Sequence, residues 1–264
     1  MDILSAVISV IKDAGDAVIE RYSRGKNRTN IKNDGSPVTE ADLVSQKIIL
    51  QGLKKFGYPI ISEEQENGDQ RLQQDKVWLV DPLDGTKDFL DRTGEFSVMI
   101  GLVENGEPVL GVVYQPVKDI FYYAQKGKGA FMRIGTGTDI KLQVSSIDVP
   151  ERATMLLSRH HLQPAEVKIA KDMGITKIIP CGSVGVKVGL IASGEGEIYV
   201  VSSGNTSEWD TCAPDIIIQE AGGIMTDMKG KKLVYNKKSL KSKNGFVVTN
   251  KLLHDVITDR ISFK

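Results

Sequence analysis

The sequence predicts a mixed fold, α+β over residues 1–150 and layered α/β over residues 151–264. Three observations predict it. Two helical stripes fill the first 56 residues and precede strand-like runs punctuated by hairpin signals, the pattern of helices packed on a largely antiparallel sheet. From Ala153 onward strands and helices alternate, as in an α/β layer. Near Val149-Pro150, where one pattern gives way to the other, there is no long linker, and the chain has no internal repeat or low-complexity segment. At 264 residues it is long enough for one large domain or two smaller ones with proper cores.

Leu4, Val7, Ile11, Ala14 and Val18 recur at steps of three and four, an amphipathic helix over residues 2–22 opened by Asp2 and closed near Gly25. Residues 23–37, polar and rich in Gly, Asn and Lys, read as a mobile loop or weak hairpin. Thr39 and Asp42 fit the T-x-x-D capping pattern at the head of a second helix through Leu43, Leu50, Leu53 and Phe56. Residues 58–62 read as a short strand ending at Glu63-Glu64, followed by a polar loop over 65–75. Val77 to Val80 is short, apolar and uninterrupted, a strand buried on both faces. Runs 97–103 and 108–115 meet at Asn105-Gly106, a type I′ hairpin signal, and two more strands, 120–124 and 130–134, flank Gly127-Lys128-Gly129. The second half shows strands at 154–157, 176–179, 197–201, 224–227 and 245–249, with helices near 164–173, 183–192 and 211–221.

Lys plus Arg number 34 and Asp plus Glu number 34, so no global field favours DNA, RNA or an anionic membrane, and an anionic ligand must be held locally. Cys181 and Cys212 are isolated, without CxxC spacing, which fits reduced thiols in a cytoplasmic protein and argues against a disulfide framework. The N-terminus lacks the features of a signal peptide and no apolar run approaches 18 residues, so the expectation is a cytoplasmic protein without a membrane span. No G-x-x-x-x-G-K-[ST] loop occurs, and none of the three histidines has HxxxH spacing; His161 and His254 read as structural or solvated.

The chemistry concentrates after Val80. Asp81 and Asp84 flank a proline that has no N–H, so a turn is expected at the strand end. Two carboxylates, the carbonyl of Leu83 and the hydroxyl of Thr86 are oxygen donors of the kind Mg²⁺ prefers. The N–H groups of Gly85 and Thr86, where a helix could begin, could hold a phosphate. An Asp-capped turn is the plainer reading of the same residues. Asp42 likewise reads first as a helix cap. In Glu208-Trp209-Asp210-Thr211-Cys212-Ala213-Pro214 a proline expected only in a first helical turn places Asp210 at or just before a helix N-terminus, as an N-cap.

The order and spacing of these stretches carry a resemblance. Glu63-Glu64, then Asp81-Pro-Leu-Asp84-Gly-Thr86, then Trp209-Asp210 followed by Glu220-Ala-Gly-Gly223, resembles the inositol monophosphatase superfamily over most of the chain. That implies the layered αβαβα sandwich of the sugar phosphatase fold. Leu83-Asp84-Gly85-Thr86-Lys87-Asp88-Phe89, Glu208-Trp-Asp-Thr211, Leu157-Ser-Arg-His160, and Gly182-Ser183 with Lys187 look most like the CysQ-type 3′(2′),5′-bisphosphate nucleotidases. Trp209-Asp-Thr-Cys-Ala-Pro214 departs from the usual bacterial Ala-Ala-Gly and is closer to eukaryotic nucleotidases.

The resemblance implies two or three Mg²⁺ ions held by Glu63, Asp81, the Leu83 carbonyl, Asp84, Thr86 and Asp210, with Thr86 and Asp42 orienting and deprotonating the attacking water. Gly85 and Thr86 would bind the transferred phosphoryl group. Arg159, His160 and Lys187, with Ser158 and Ser183 as hydrogen-bond donors, would bind a second phosphate, and Glu208 the ribose. The implied activity is Mg²⁺-dependent removal of the 3′(2′)-phosphate of adenosine 3′,5′-bisphosphate, with 3′-phosphoadenylyl sulfate as a further substrate, in sulfur metabolism, with Li⁺ inhibiting from a Mg²⁺ site. Inositol monophosphatase or fructose-1,6-bisphosphatase activity is the alternative within the superfamily, and a non-catalytic, metal-dependent nucleotide-binding regulator the alternative outside it. Homodimerisation, common in the superfamily, is a further implication of the resemblance.

Overall fold

The computed structural model describes residues 2–25, 28–32, 35–65, 68–204 and 206–262. Helix α1 (Ile3–Arg24) is opened by Asp2, whose carboxylate accepts the Ser5 N–H at 3.0 Å, and closed by Gly25. Strands β1 (Thr29–Ile31) and β2 (Pro37–Thr39) pair antiparallel, so the polar segment forms a short hairpin; Lys26, Asn27, Asn33 and Asp34 lie outside the described residues. Helix α2 (Glu40–Leu53) starts on a capping box between Thr39 and Asp42. Its buried face runs through Ala41, Ser45, Ile49 and Leu53, and the expected core position Leu43 is 49% exposed. Two residues past Ala41 a side chain points about 200° around the helix, away from that face.

Seven strands then follow in chain order within one sheet: β3 (Ile60–Ser62), β4 (Lys76–Asp84), β5 (Ser97–Glu104), β6 (Glu107–Gln115), β7 (Ile120–Gln125), β8 (Ala130–Ile134) and β9 (Ile140–Lys141), with helix α3 (Thr86–Leu90) between β4 and β5. All neighbours are antiparallel except β3 and β4. Asn105 (φ 52°) and Gly106 (φ 80°) make the two-residue turn between β5 and β6, as the Asn-Gly pair predicts.

The second half folds as β10 (Thr154–Ser158), α4 (Pro164–Asp172), β11 (Lys177–Cys181), α5 (Val184–Ala192), β12 (Ile198–Val201), α6 (Glu208–Glu220), β13 (Ile224–Thr226), β14 (Phe246–Thr249) and α7 (His254–Ser262). Its sheet has the order β11-β10-β12-β14-β13, parallel among the first three and antiparallel at β14. Helix α7 has no counterpart among the sequence-based expectations. His254 at its start is buried, its ring bridging the hydroxyls of Thr226 (2.9 Å) and Thr249 (3.2 Å), a structural role.

Alternation within the strands dictates five layers. One face of the first sheet (Trp78, Val80, Val98, Ile100, Val112) packs on α1 and α2. Its other face (Met99, Val113, Tyr122) packs on α5 and α6, which also cover Leu156, Tyr199 and Val248 of the second sheet. The far face of that sheet (Met155, Ile198, Val247) meets α4 and α7. The result is the αβαβα sandwich. The expected division near residue 150 separates the sheets along the chain, yet α5 and α6 belong to the second half and cover the first sheet. Gly101 and Gly111 permit that close approach, since a Cβ at either would lie 2.5 Å from Cys212 Sγ or the Ala213 carbonyl on α6.

One boundary differs from expectation. Helix α6 starts at Glu208, with Ser207 as N-cap and Asp210 at the third helical position, so Asp210 is not the N-cap and Pro214 sits inside the helix. The Ser207–Asp210 capping box sets this start, and Pro214 leaves the Asp210 carbonyl without its helical N–H donor.

Candidate active site

The expected turn at Asp81-Pro82 does not occur. Strand β4 continues to Asp84, and the missing proline N–H is absorbed by a register irregularity against β5 between Asp81 and Asp84. Ser45 Oγ donates to the Pro82 carbonyl at 2.7 Å, and the Leu83 N–H donates to Asp81 Oδ1 at 3.0 Å. The chain turns at Gly85 instead. Its φ is 91°, and a Cβ there would lie 3.2 Å from the Glu95 carbonyl, so glycine is required on two counts. Helix α3 then begins at Thr86, as expected.

This turn sets Thr86 against α2. Its hydroxyl lies 3.1 Å from Asp42 Oδ1 and 3.2 Å from the Leu83 carbonyl, both acceptors. Asp42 Oδ2 accepts the Thr39 N–H (2.8 Å) and hydroxyl (2.6 Å). Asp42 therefore caps α2 with one oxygen and presents the other to Thr86. Burial raises its pKa, against the pull of the Thr39 hydrogen bonds and with a further push from Glu63.

Asp84 is completed by the second half. Its Oδ2 accepts from the Ser183 hydroxyl and the Gly185 N–H (2.9 Å) at the start of α5, and Ser97 Oγ stands 3.4 Å away. Burial still raises its pKa, with Ser183, Gly185 and Lys187 opposing. Asp210 Oδ2 accepts the Ser207 N–H at 2.5 Å, and its pKa is pushed up to about 8 by burial and then by Glu63, with Asp84 adding. Asp81, fully buried, is pushed well above the carboxylate range by burial and by the charges of Glu63, Asp84 and Asp210. Glu63 follows β3 at the rim, where Lys32 from the β1–β2 hairpin donates to it at 2.7 Å and also to Glu64. Burial raises the Glu64 pKa to about 7.

Four carboxylates, from the end of β3, from β4 and from α6, thus act on one another electrostatically. Among the described residues no three His, Cys, Asp or Glu side chains converge on one point as they stand. The donor set nonetheless fits a hard divalent cation. It offers carboxylate oxygens and one carbonyl, with no nitrogen or sulfur, and mutual repulsion that a 2+ charge would relieve.

The residues expected to bind substrate divide. Lys187 is wholly buried, and its ammonium donates to the carbonyls of Cys181 (3.2 Å), Gly182 and Ser183 (2.9 Å), which uses all three N–H groups; it caps these carbonyls and is not presented to a ligand. Ser183, also wholly buried, is committed to Asp84 and to the Val186 N–H. Glu208, 1% exposed, accepts the N–H groups of Asn236 (2.6 Å) and Lys237 (3.1 Å), which fixes that loop and commits the carboxylate to the protein. Ser158 accepts the His161 N–H at 3.1 Å. Arg159 and His160 remain partly open and border Asp88, at 3.5 and 3.4 Å. Sequence reasoning missed Lys32, Glu95 and Ser97. None lies in a spaced pattern, and each reaches the site only through the pairing of distant elements.

A five-layer αβαβα sandwich with a cluster of buried carboxylates where its halves meet defines the sugar-phosphatase class of fold. The chain belongs to the inositol monophosphatase family, whose model matches residues 2–262. It is 37% identical to the 3′(2′),5′-bisphosphate nucleotidase CysQ of Salmonella typhimurium over 250 residues, 93% of this chain and 99% of the relative. The Escherichia coli K12 counterpart is 35% identical over the same coverage. Among solved structures, CysQ from Bacteroides thetaiotaomicron superposes with a TM-score of 0.79 at 32% identity, covering 94% of this chain and 97% of that one. An inositol monophosphatase from Thermotoga maritima gives 0.83 at 28% identity, covering 100% and 98%. No described helix is long and apolar enough to cross a membrane.

Proposed function

We propose that this protein is a Mg²⁺-dependent phosphatase that removes the 3′(2′)-phosphate of adenosine 3′,5′-bisphosphate, and of 3′-phosphoadenylyl sulfate, giving inorganic phosphate. The reading rests above all on the Asp42–Thr86 contact beside the buried carboxylates of β4 and α6. A simple binder has no need of a hydroxyl poised against a carboxylate whose second oxygen is already saturated. The near full-length likeness to two nucleotidases favours a nucleotide substrate over inositol phosphate.

Glu63, Asp81, the Leu83 carbonyl, Asp84 and Asp210 would hold two or three Mg²⁺ ions, which supply charge neutralisation at phosphorus and a more acidic water. The protein's own part is positional. Thr86 Oγ1 orients the attacking water and passes its proton towards Asp42 Oδ1, whose basicity burial increases. The Gly85 and Thr86 N–H groups, at the start of α3, would donate to the phosphoryl oxygens. Ser183 and the Gly185 N–H fix the Asp84 rotamer. Of the expected second-phosphate ligands, Arg159, His160 and the Ser158 hydroxyl remain, because Lys187 is consumed by carbonyls and Ser183 by Asp84.

The test is phosphate release from adenosine 3′,5′-bisphosphate, inositol 1-phosphate and fructose 1,6-bisphosphate in parallel, with a chelator control. A kcat/KM at least about tenfold higher on the nucleotide, roughly 1.4 kcal/mol of discrimination, is expected. Preference for either other substrate would overturn the nucleotide assignment.

A further inference from the structure

We infer that Glu95 fills, with its own carboxylate, the subsite that receives the substrate's second phosphate, and that the phosphate displaces it on binding. The inference rests on the bisphosphate reading above.

Arg159 is held from two unlike sides. On one, Asp88 Oδ1 lies 3.5 Å from its Nε; Asp88 is 2% exposed and is itself pinned by the Thr93 hydroxyl at 2.9 Å. This carboxylate is an anchor. On the other side Glu95 Oε2 accepts Arg159 Nη2 at 2.6 Å and the Gly182 N–H at 3.1 Å. Nη2 also reaches the Pro180 carbonyl at 3.2 Å. The Glu95 and Arg159 side chains are 28% and 33% exposed, so this second pair faces solvent, where an ion pair contributes little and exchanges readily.

A guanidinium and a backbone N–H converging on one anionic oxygen form the donor set that takes a phosphate oxygen. Here that oxygen belongs to the protein. The cradle adjoins the reacting end: Gly182 precedes Ser183, whose hydroxyl donates to Asp84. The Glu95 carbonyl accepts the Ser183 N–H at 3.0 Å, which fixes the backbone while the side chain is left to swing out. A terminal phosphate brings nearly two charges against the carboxylate's one and wins the exchange. A substrate without that phosphate leaves Glu95 in place, so the residue sets specificity.

The experiment is calorimetric titration of the full-length protein with adenosine 5′-phosphate and with adenosine. Glu95→Gln is expected to tighten adenosine 5′-phosphate roughly fivefold and leave adenosine unchanged, because only a charged competitor has been removed. Glu95→Ala should shift in the same direction. Arg159→Gln should weaken adenosine 5′-phosphate and abolish the gain from Glu95→Gln. If both Glu95 variants bind adenosine 5′-phosphate no better than wild type, or tighten both ligands equally, the inference is overturned while the nucleotide reading stands. Wild-type protein that does not distinguish the two ligands would also overturn the inference, and the nucleotide reading would then stand or fall separately on the phosphate-release comparison.

Discussion

Mg²⁺ binding should release protons. Asp210 has a pKa of about 8, raised first by burial and then by Glu63, and a carboxylate must be ionised to ligate a cation. At pH 7 about nine-tenths of the metal-free protein then carries a proton on Asp210, and apparent affinity is about tenfold below its limit at high pH. Between pH 6.5 and 8.5 the factor 1 + 10^(8 − pH) falls from about 33 to about 1.3, so Mg²⁺ affinity should rise about 25-fold from this group alone. Asp81 and Asp84, also raised, add to the slope. Calorimetry at pH 7 in buffers of different ionisation enthalpy should show close to one proton released for Asp210, and Asp210→Asn should remove that share. Affinity flat across this range, with no net proton release, would refute the picture of mutually repelling, partly protonated carboxylates.

Four further outcomes follow. Thr86→Val and Asp42→Asn should each lower kcat by about 10²–10⁴-fold with little change in KM; for Asp42→Asn a loss of about 1 kcal/mol from the α2 cap is also expected by denaturant titration. Lys187→Met should destabilise by about 3 kcal/mol or more, because three carbonyls lose their donor; a stable variant with a raised KM would show instead that Lys187 serves the substrate. Asp215 is fully buried between Tyr235 and Gln219, and burial lifts its pKa to about 6. The folded state holds this proton after the unfolded chain has lost it, so stability should fall by about 3 kcal/mol as pH rises from about 4 to about 6, and Asp215→Asn should flatten that dependence in thermal melts. The β1–β2 hairpin carries Lys32 onto Glu63, so adding Mg²⁺ and phosphate should alter hydrogen exchange at residues 28–32 and 35–39; unchanged exchange would show that the Lys32–Glu63 contact does not respond to the metal.

Much of this architecture is legible in the sequence because local signals and tertiary packing agree. The Asn105-Gly106 turn, the apolar run before Asp81 and the alternation after Ala153 each act through a period or a turn geometry that the fold keeps. The acidic ends of β3 and β4 are visible for the same reason. Pro214 misleads because it is judged by propensity alone, whereas the Ser207–Asp210 capping box fixes the helix start. Leu43 misleads because the stripe through α2 is set by its packing against α1, and an apolar side chain is tolerated at the surface. Lys187 shows the limit most clearly. A lysine after Gly-Ser reads as a phosphate ligand, and only the folded chain shows that three carbonyls at the β11–α5 turn claim it. The Glu95–Arg159 contact joins residues 64 positions apart and leaves no local trace.

The central claim is that metal, bound through β4, is what makes this site hydrolytic. It is tested most directly by phosphate release from adenosine 3′,5′-bisphosphate with Mg²⁺, for wild type and Asp84→Asn, each with and without a chelator. Wild type should turn over only with Mg²⁺, and Asp84→Asn should lose activity while keeping its fold by circular dichroism. Turnover that survives the chelator or the substitution would contradict the account, and a folded wild type that binds the nucleotide without releasing phosphate would show the protein to be a binder.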